Sequence, residues 1–292
     1  MIRMQVQAVV FNNEIHALEK MVESFTNAAN YYNKHEKEQM ELRILFGEAS
    51  PEQVLFEKDL EGFRELCHHQ AEIDYVNFGF NSGYGKGHNL LSEHAEADFL
   101  CIINPDIMVT APFFCEMLAP FAKETTGITE GRQTPVEHPK EYDRVTKETD
   151  WSSGACFIIR QSLFRRLKGF DTDTFFMYSE DVDLSWRVRS LGYKLIYCPT
   201  APAFHAKRLS KEGRWNAAKT ELYYSGVAQM LFAYKWGDVK KAEDICAIYK
   251  GSDNELYQKA AAKYEEMKAE GKLPKQIKEK NFTVDDSIRF VL

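Results

Sequence analysis

No stretch of this chain strings together the roughly 18 apolar residues that a membrane span needs, and nothing at its amino terminus has the basic region, apolar run and cleavage site of a secretory leader. A cytoplasmic protein is the expectation. The six cysteines, at positions 67, 101, 115, 156, 198 and 246, include no Cys-x-x-Cys and no close pair, which argues against a zinc site or a disulfide framework. Basic residues are not in excess either. Lys and Arg number 37 against 44 Asp and Glu, a net charge of -7, so the chain has no global field that would draw it to nucleic acid. Long disorder is excluded by a hydrophobic fraction of 44% and an aromatic fraction of 13%.

What is present alternates. Val6 to Phe11 reads as a strand, and Glu14 to His35 as a helix with Ile15, Leu18, Met21, Val22 and Phe25 on one face. Further strands are predicted at Leu42 to Phe46, Asp74 to Phe78 and Asp98 to Ile103, which implies a mostly parallel α/β sheet flanked by helices. Lys123 to Asp150, rich in Thr, Glu, Lys and Pro, reads as an exposed loop serving as a lid or acceptor loop. Beyond Ser210 the balance of charge changes. Residues 211–292 carry 15 basic and 13 acidic side chains, whereas residues 1–210 carry 22 and 31. The expected division is therefore an α/β domain at 1–210 and a helical region at 211–292. The basic stretch from Lys272 to Lys280 is a candidate for peripheral contact with an anionic membrane surface, against the plainer reading of a solvated face.

In open α/β sheets ligands sit beyond the carboxyl ends of the strands, and there the chain is unusually polar. Asn104-Pro105-Asp106 follows the buried run Phe99 to Ile103, so that its carboxylate could hold a hard divalent cation; Asn-Pro-Asp is also ordinary turn chemistry. Ser179 is the expected cap of a helix that opens with Glu180 and Asp181. The dipole favours acids there, and the same field keeps a general base ionised. His205, after Tyr193 to Cys198, could complete a cation's coordination or be simply packed. The stretch Asn81-Ser-Gly-Tyr-Gly85-Lys-Gly-His-Asn89 lets backbone approach a ligand at a helix start, but matches neither the dinucleotide fingerprint nor the phosphate-binding loop.

Taken together and in this order, "NSGYGKGHN", "NPD", "WSSGACFIIR", "KGFDTDTFFMYSEDVDLSWRVRSLGYKLIYCP" and His205 resemble glycosyltransferase family 2, in particular its rhamnosyltransferase-like branch, over about two thirds of the chain. The resemblance implies a GT-A fold, with a Rossmann-like nucleotide-binding half, and inverting transfer of a sugar from a nucleoside diphosphate donor, best rhamnose from dTDP-rhamnose, to a cell-surface polysaccharide or lipid-linked glycan. It implies Asp181 as catalytic base with Glu180 beside it, and Asp106 and His205 as ligands of Mn2+ or Mg2+. Asn104 stands where the first carboxylate of the family's metal motif stands. Asn12, Glu48, Asn81, Gly85, Asn89, Asn104 and Asp106 would line the donor site, with Glu48 in place of the usual Asp. Trp151, Ser153, Gly154, Ala155 and Tyr178 would line the sugar and acceptor. The rivals are a transferase using a UDP-sugar and an inactive GT-A-like module that only binds glycan or nucleotide.

Overall fold

The computed structural model describes residues 1–93, 95–137, 140–206, 219–277 and 281–282. The boundary expected near Ser210, and Lys278 to Lys280 of the basic stretch, lie outside the described residues. Strands β1 (Ile2–Val10), β2 (Met40–Glu48) and β3 (Glu72–Asn77) alternate with helices α1 (Ile15–His35), α2 (Glu57–Leu66) and α3 (Tyr84–Ser92). Then come β4 (Phe99–Ile103), β5 (Ile107–Val109), α4 (Phe113–Leu118), β6 (Thr126–Thr134), β7 (Glu148–Thr149), β8 (Cys156–Arg160), α5 (Gln161–Arg166), α6 (Glu180–Ser190) and β9 (Lys194–His205). Helices α7 (Lys219–Lys235), α8 (Val239–Lys250) and α9 (Glu255–Ala269) close the described chain.

Among the described residues one sheet runs β3-β2-β1-β4-β8-β6-β9-β5, with β7 paired to β9. Its first four strands are parallel, as the strand and helix alternation requires. Beyond β4 it becomes mixed: β8 is antiparallel to both β4 and β6, while β6 and β9 are parallel. Side chains alternate across the pleat, so Cys101 and Ile103 of β4 join one apolar cluster with α1 and α4, and Leu100 and Ile102 join another with α5 and α6.

The segment from Lys123 to Asp150 is not a loop throughout. Its first part is β6, an interior strand whose residues Thr126 to Gly131 are buried. No apolar alternation betrays it, because apart from Ile128 its buried side chains are polar: the Thr126 hydroxyl donates to the Pro120 carbonyl at 2.7 Å, Glu130 pairs with Lys140, and the Thr129 hydroxyl has no partner among the described residues. Its glycines are close approaches. A Cβ on Gly127 would come within 2.6 Å of Val188 on α6. Among the described residues the longest exposed runs of the segment are Lys123 to Thr125, before β6, and Asp143 to Thr146.

Helices α7 to α9 do not stand apart. Met230, Leu231 and Trp236 share an apolar cluster with Phe175, Val182 and Trp186, so the last helices pack on the helix that begins with Glu180 and Asp181. At the centre of that contact the fully buried Asp183 accepts from Arg187 Nε at 2.7 Å and Trp236 Nε1 at 3.0 Å, and pairs with Lys235 Nζ at 2.5 Å. Lys235 also reaches Asp171 at 2.6 Å. A buried carboxylate needs such a complement of donors.

On the same face of the sheet as α6, Gln5 and Gln7 of β1 face α3, and Gln7 Nε2 lies 3.1 Å from the buried ring of His88. Burial lowers the His88 pKa to about 3. The folded state therefore resists protonation that the unfolded chain accepts near 6.5, and stability should fall as pH drops from about 6.5 toward 3, by up to about 1.4 kcal/mol per unit. Denaturant titrations at stepped pH should show a shallower acid-side slope in His88→Asn than in the wild type.

Candidate active site

The site lies at the carboxyl ends of β1, β2 and β4, where the chain turns into Phe11–Asn13, Glu48–Ser50 and Asn104–Asp106. Asn12 adopts φ 55 and donates its N–H to the Ser50 hydroxyl at 2.9 Å, joining the first two turns. The third turn meets the last strand. Register pairs Ile107 with His205, and His205 Nε2 comes to 3.4 Å from Asp106 Oδ1 and 3.2 Å from Asn104 Nδ2. The other ring nitrogen, Nδ1, is 3.2 Å from Oε1 of Gln133, a residue only 2% exposed on β6. With Nδ1–H donating to Gln133, Nε2 is left with its lone pair toward Asn104 and Asp106, the tautomer a metal ligand requires.

Among the described residues no three His, Cys, Asp or Glu side chains converge as a cage. One carboxylate oxygen and one imidazole nitrogen nevertheless suit Mn2+ or Mg2+, with the open positions left for phosphate oxygens and water. Such a pair fits a cation that arrives with a nucleotide rather than a resident structural ion.

The second half of the site is Asp181. Tyr178 and Ser179, the two residues before α6, both hold positive φ, 69 and 61, which side chains other than glycine rarely adopt. Such backbone strain gathers at functional sites. Ser179 starts the helix without the expected side-chain cap; its left-handed conformation aims the helix instead. Asp181 Oδ2 accepts the Gly154 N–H at 2.7 Å and Oδ1 accepts the Val182 N–H at 2.8 Å. Each oxygen keeps a second lone pair. Burial pushes the Asp181 pKa up, while these two amides and the Lys140 ammonium pull it back. Glu180, 5% exposed, is driven well above the carboxylate range by burial and by Asp181 and Asp183, and its Oε2 finds no partner among the described residues. Held neutral, Glu180 leaves the charge of the pair on Asp181, the division of roles seen when paired carboxyls are pushed apart.

The strip between these halves is residues 151–155. Gly154 gives its N–H to Asp181 and its carbonyl to the Tyr84 hydroxyl, and Ala155 gives its carbonyl to the Asn104 N–H at 3.0 Å. A Cβ on Gly154 would stand 3.0 Å from the Tyr84 oxygen, so this glycine serves a close approach. Asp181, Gly154, Ala155, Asn104, His205 and Asp106 thus form one continuous series of contacts. Tyr178 remains partly exposed beside Glu180, with its pKa raised by burial and by Glu221. Trp151 is partly buried against the helical cluster and carries Lys140 over its ring at 4.2 Å.

Other expected contacts turn inward. Glu48 is 1% exposed and spends its carboxylate on the N–H groups of Ser50, Val54 and Leu55, at 2.8, 3.2 and 2.9 Å, so it shapes the turn rather than offering a free oxygen to the donor. Asn89 exchanges two hydrogen bonds with the Phe170 backbone, at 2.9 and 2.8 Å, and ties its helix to the segment before α6. Gly85 packs on Phe170, where an added Cβ would lie 3.0 Å from that side chain. Asn81 accepts the Gly83 N–H in a local turn at 3.0 Å. Ser153 is buried, its N–H directed to Glu130 and its hydroxyl accepting from Ala155 N at 3.2 Å. These five hold the backbone that the donor would meet. Sequence reading passed over Gln133, Lys140 and Glu130 because they lie in the polar segment taken for a loop. Tyr84, inside a quoted motif, had its ring as a signal.

No family model matches the chain. It is 28% identical over 211 residues to the rhamnosyltransferase WbbL of Escherichia coli (strain K12), covering 57% of this chain and 78% of that protein. Over 83 residues it is 37% identical to an N-acetylglucosaminyl-diphospho-decaprenol L-rhamnosyltransferase of Mycobacterium tuberculosis, which is 28% of this chain and 24% of that one. Among solved structures, GalNAc-T7 with UDP, GalNAc and Mn2+ superposes with a TM-score of 0.64 at 15% identity, over 94% of this chain and 56% of that one. The mannosyltransferase PcManGT from Pyrobaculum calidifontis, in complex with GDP-Man and Mn2+, gives 0.58 at 14% identity, over 93% and 82%. These two share the fold.

If Gln133 selects the His205 tautomer, Gln133→Leu should weaken Mn2+ binding in the presence of a nucleoside diphosphate by about 10- to 100-fold, the usual cost of losing such a partner. Isothermal calorimetry on the unreacted protein reads this directly.

Proposed function

We propose, from the premise that the chain is a family 2-like, rhamnosyltransferase-type glycosyltransferase of GT-A fold, that it transfers rhamnose with inversion from dTDP-rhamnose to a hydroxyl of a cell-surface polysaccharide or its lipid-linked precursor. The observation that carries the reading is the contact series from Asp181 through Gly154 and Ala155 to Asn104, His205 and Asp106, which sets a base at one end of a strip and a pair of cation ligands at the other. The rhamnose donor and the glycan or lipid-linked acceptor follow the names of the two bacterial relatives.

In the proposed reaction the acceptor oxygen forms a bond to the anomeric carbon as that carbon's bond to the diphosphate breaks. The acceptor proton passes to Asp181, and the electron pair of the broken bond leaves on the diphosphate. Burial serves this step. By lifting the Asp181 pKa toward the working pH it makes the carboxylate a better proton acceptor, while the Gly154 and Val182 amides keep it ionised. Attack from the side of Asp181, opposite the leaving group, inverts the centre. Asp106 and His205 would hold Mn2+ or Mg2+, which when bound supplies positive charge beside the departing diphosphate. The buried, neutral Glu180 excludes a second negative charge from the base's surroundings.

Asp181→Asn should lower turnover by about 10²- to 10⁴-fold with donor affinity little changed, measured as nucleoside diphosphate release with Mn2+ present. Donor binding with no release by the wild-type chain in any acceptor mixture would instead favour a binding module. In a thermal-shift panel with Mn2+, dTDP-rhamnose should stabilise the chain most, by about 2.7 kcal/mol at 100 times its Kd. A larger shift with a UDP-sugar would overturn the donor assignment.

A further inference from the structure

Lys140 lies in the segment between β6 and β7, yet its side chain is 2% exposed. Its ammonium pairs with Glu130 of β6, whose side chain is 1% exposed, donates to the Trp151 carbonyl at 3.3 Å, and sits 4.2 Å from the centre of the Trp151 ring. The Ser153 N–H lies close enough to Glu130 to favour its charged form, and Glu130 Oε1 has no hydrogen-bond partner among the described residues. The pair therefore grips the strip 151–153 from beneath, and the next residue, Gly154, holds Asp181. Burying such a pair brings little net stability, because well-packed apolar side chains of similar volume commonly do as well. A reason for keeping charge there must be sought in what the charge does.

We propose that Lys140 is a positioning residue for the base: it fixes the Trp151–Gly154 strip against β6 and places a cation whose field reaches the Asp181 carboxylate. This rests on the reading of Asp181 as the base. The groups that face Asp181 are Glu180 on its own helix, the Tyr84 phenol from α3, and Lys140 with its partner Glu130. Asp183, the next acid on α6, is taken up by Arg187, Lys235 and Trp236. The carboxyl and phenol groups oppose a charged Asp181, and Lys140 favours it, as the direction of its influence on that carboxylate records.

The test is the pH dependence of kcat, with nucleoside diphosphate release followed at saturating donor. A base works deprotonated, so turnover rises with pH through its pKa. Removing the cation should raise that pKa and move the acid limb to higher pH, by about one unit. Lys140→Met should show this shift together with a fall in kcat of about 10- to 100-fold, the cost of a displaced reacting group, and donor KM should stay near the wild-type value. Lys140→Arg should restore the limb. Glu130→Gln, which leaves the lysine's charge uncompensated, should move the limb the other way. Because a single charge left buried can unfold the chain, the neutral double variant Lys140→Met with Glu130→Gln is the decisive one: it should fold and carry an upward shift smaller than that of Lys140→Met, since Lys140 acts on Asp181 more strongly than Glu130 does.

A limb that stays at its wild-type pH in the double variant, even with kcat reduced, would mean a purely structural pair and overturn the proposal. So would an upward shift in Glu130→Gln. A different result, wild-type turnover by Asp181→Asn, would remove the base itself and is separable from both, since it is read without touching Lys140.

Discussion

Two hydrogen bonds made by adjacent residues hold this site together: the Gly154 N–H on Asp181 and the Ala155 carbonyl on the Asn104 N–H. They join a helix start to a strand end through the turn at Gly154 and Ala155, so any movement of the 151–155 strip is felt at both the base and the cation ligands. Everything around the strip restrains it. The Tyr84 hydroxyl donates to the Gly154 carbonyl, Ser185 Oγ receives the Ser152 N–H at 3.0 Å, and Lys140 Nζ donates to the Trp151 carbonyl at 3.3 Å. Reaction geometry tolerates little displacement, and a backbone tied at every residue cannot drift.

Buried charge is the recurring device. Glu130 pairs with Lys140 from the segment after β6, and Asp183 is met by Arg187 of its own helix and by Lys235 and Trp236 from the end of α7, so each acid is buried beside a cation brought from elsewhere in the chain. The first pair connects β6 to the strip; the second connects the last helices to α6. Both converge on the helix start that carries Asp181. Removing one member of such a pair would leave a charge without its complement, which is among the costlier changes a protein can suffer. The C-terminal helices are accordingly tied to α6 by ionic contacts as well as by their shared apolar cluster.

Where apolar periodicity is strong, reading residues alone was sufficient. Helix α1 runs Ile15–His35 against an expectation of Glu14 to His35, because Leu18, Met21, Val22 and Phe25 mark its buried stripe without ambiguity. The parallel order of β1 to β4 followed from the alternation of strands and helices. Strand β6 was missed since its interior side chains, Thr126, Thr129, Glu130 and Gln133, are polar and look like those of a loop until their partners are known. Glu48 and Asn89, expected at the donor, bond to backbone at Ser50, Val54, Leu55 and Phe170, and a lone carboxylate or amide reads the same in sequence whether it faces a ligand or its own backbone.

Residue types and their order along the chain determined the α/β class, the helix register, and the polar positions at strand ends and at a helix start that include Asp106, His205 and Asp181. These depend on neighbours a few residues apart, and local spacing encodes them. Folding alone decided that Gln133 sets the His205 ring, that Lys140 rests on Trp151 near the base, and that Lys235 and Trp236 hold Asp183. Each of those joins residues between 11 and 72 positions apart. The strength of such a contact comes from burial and distance, and neither quantity exists until the sheet and helices have closed around it.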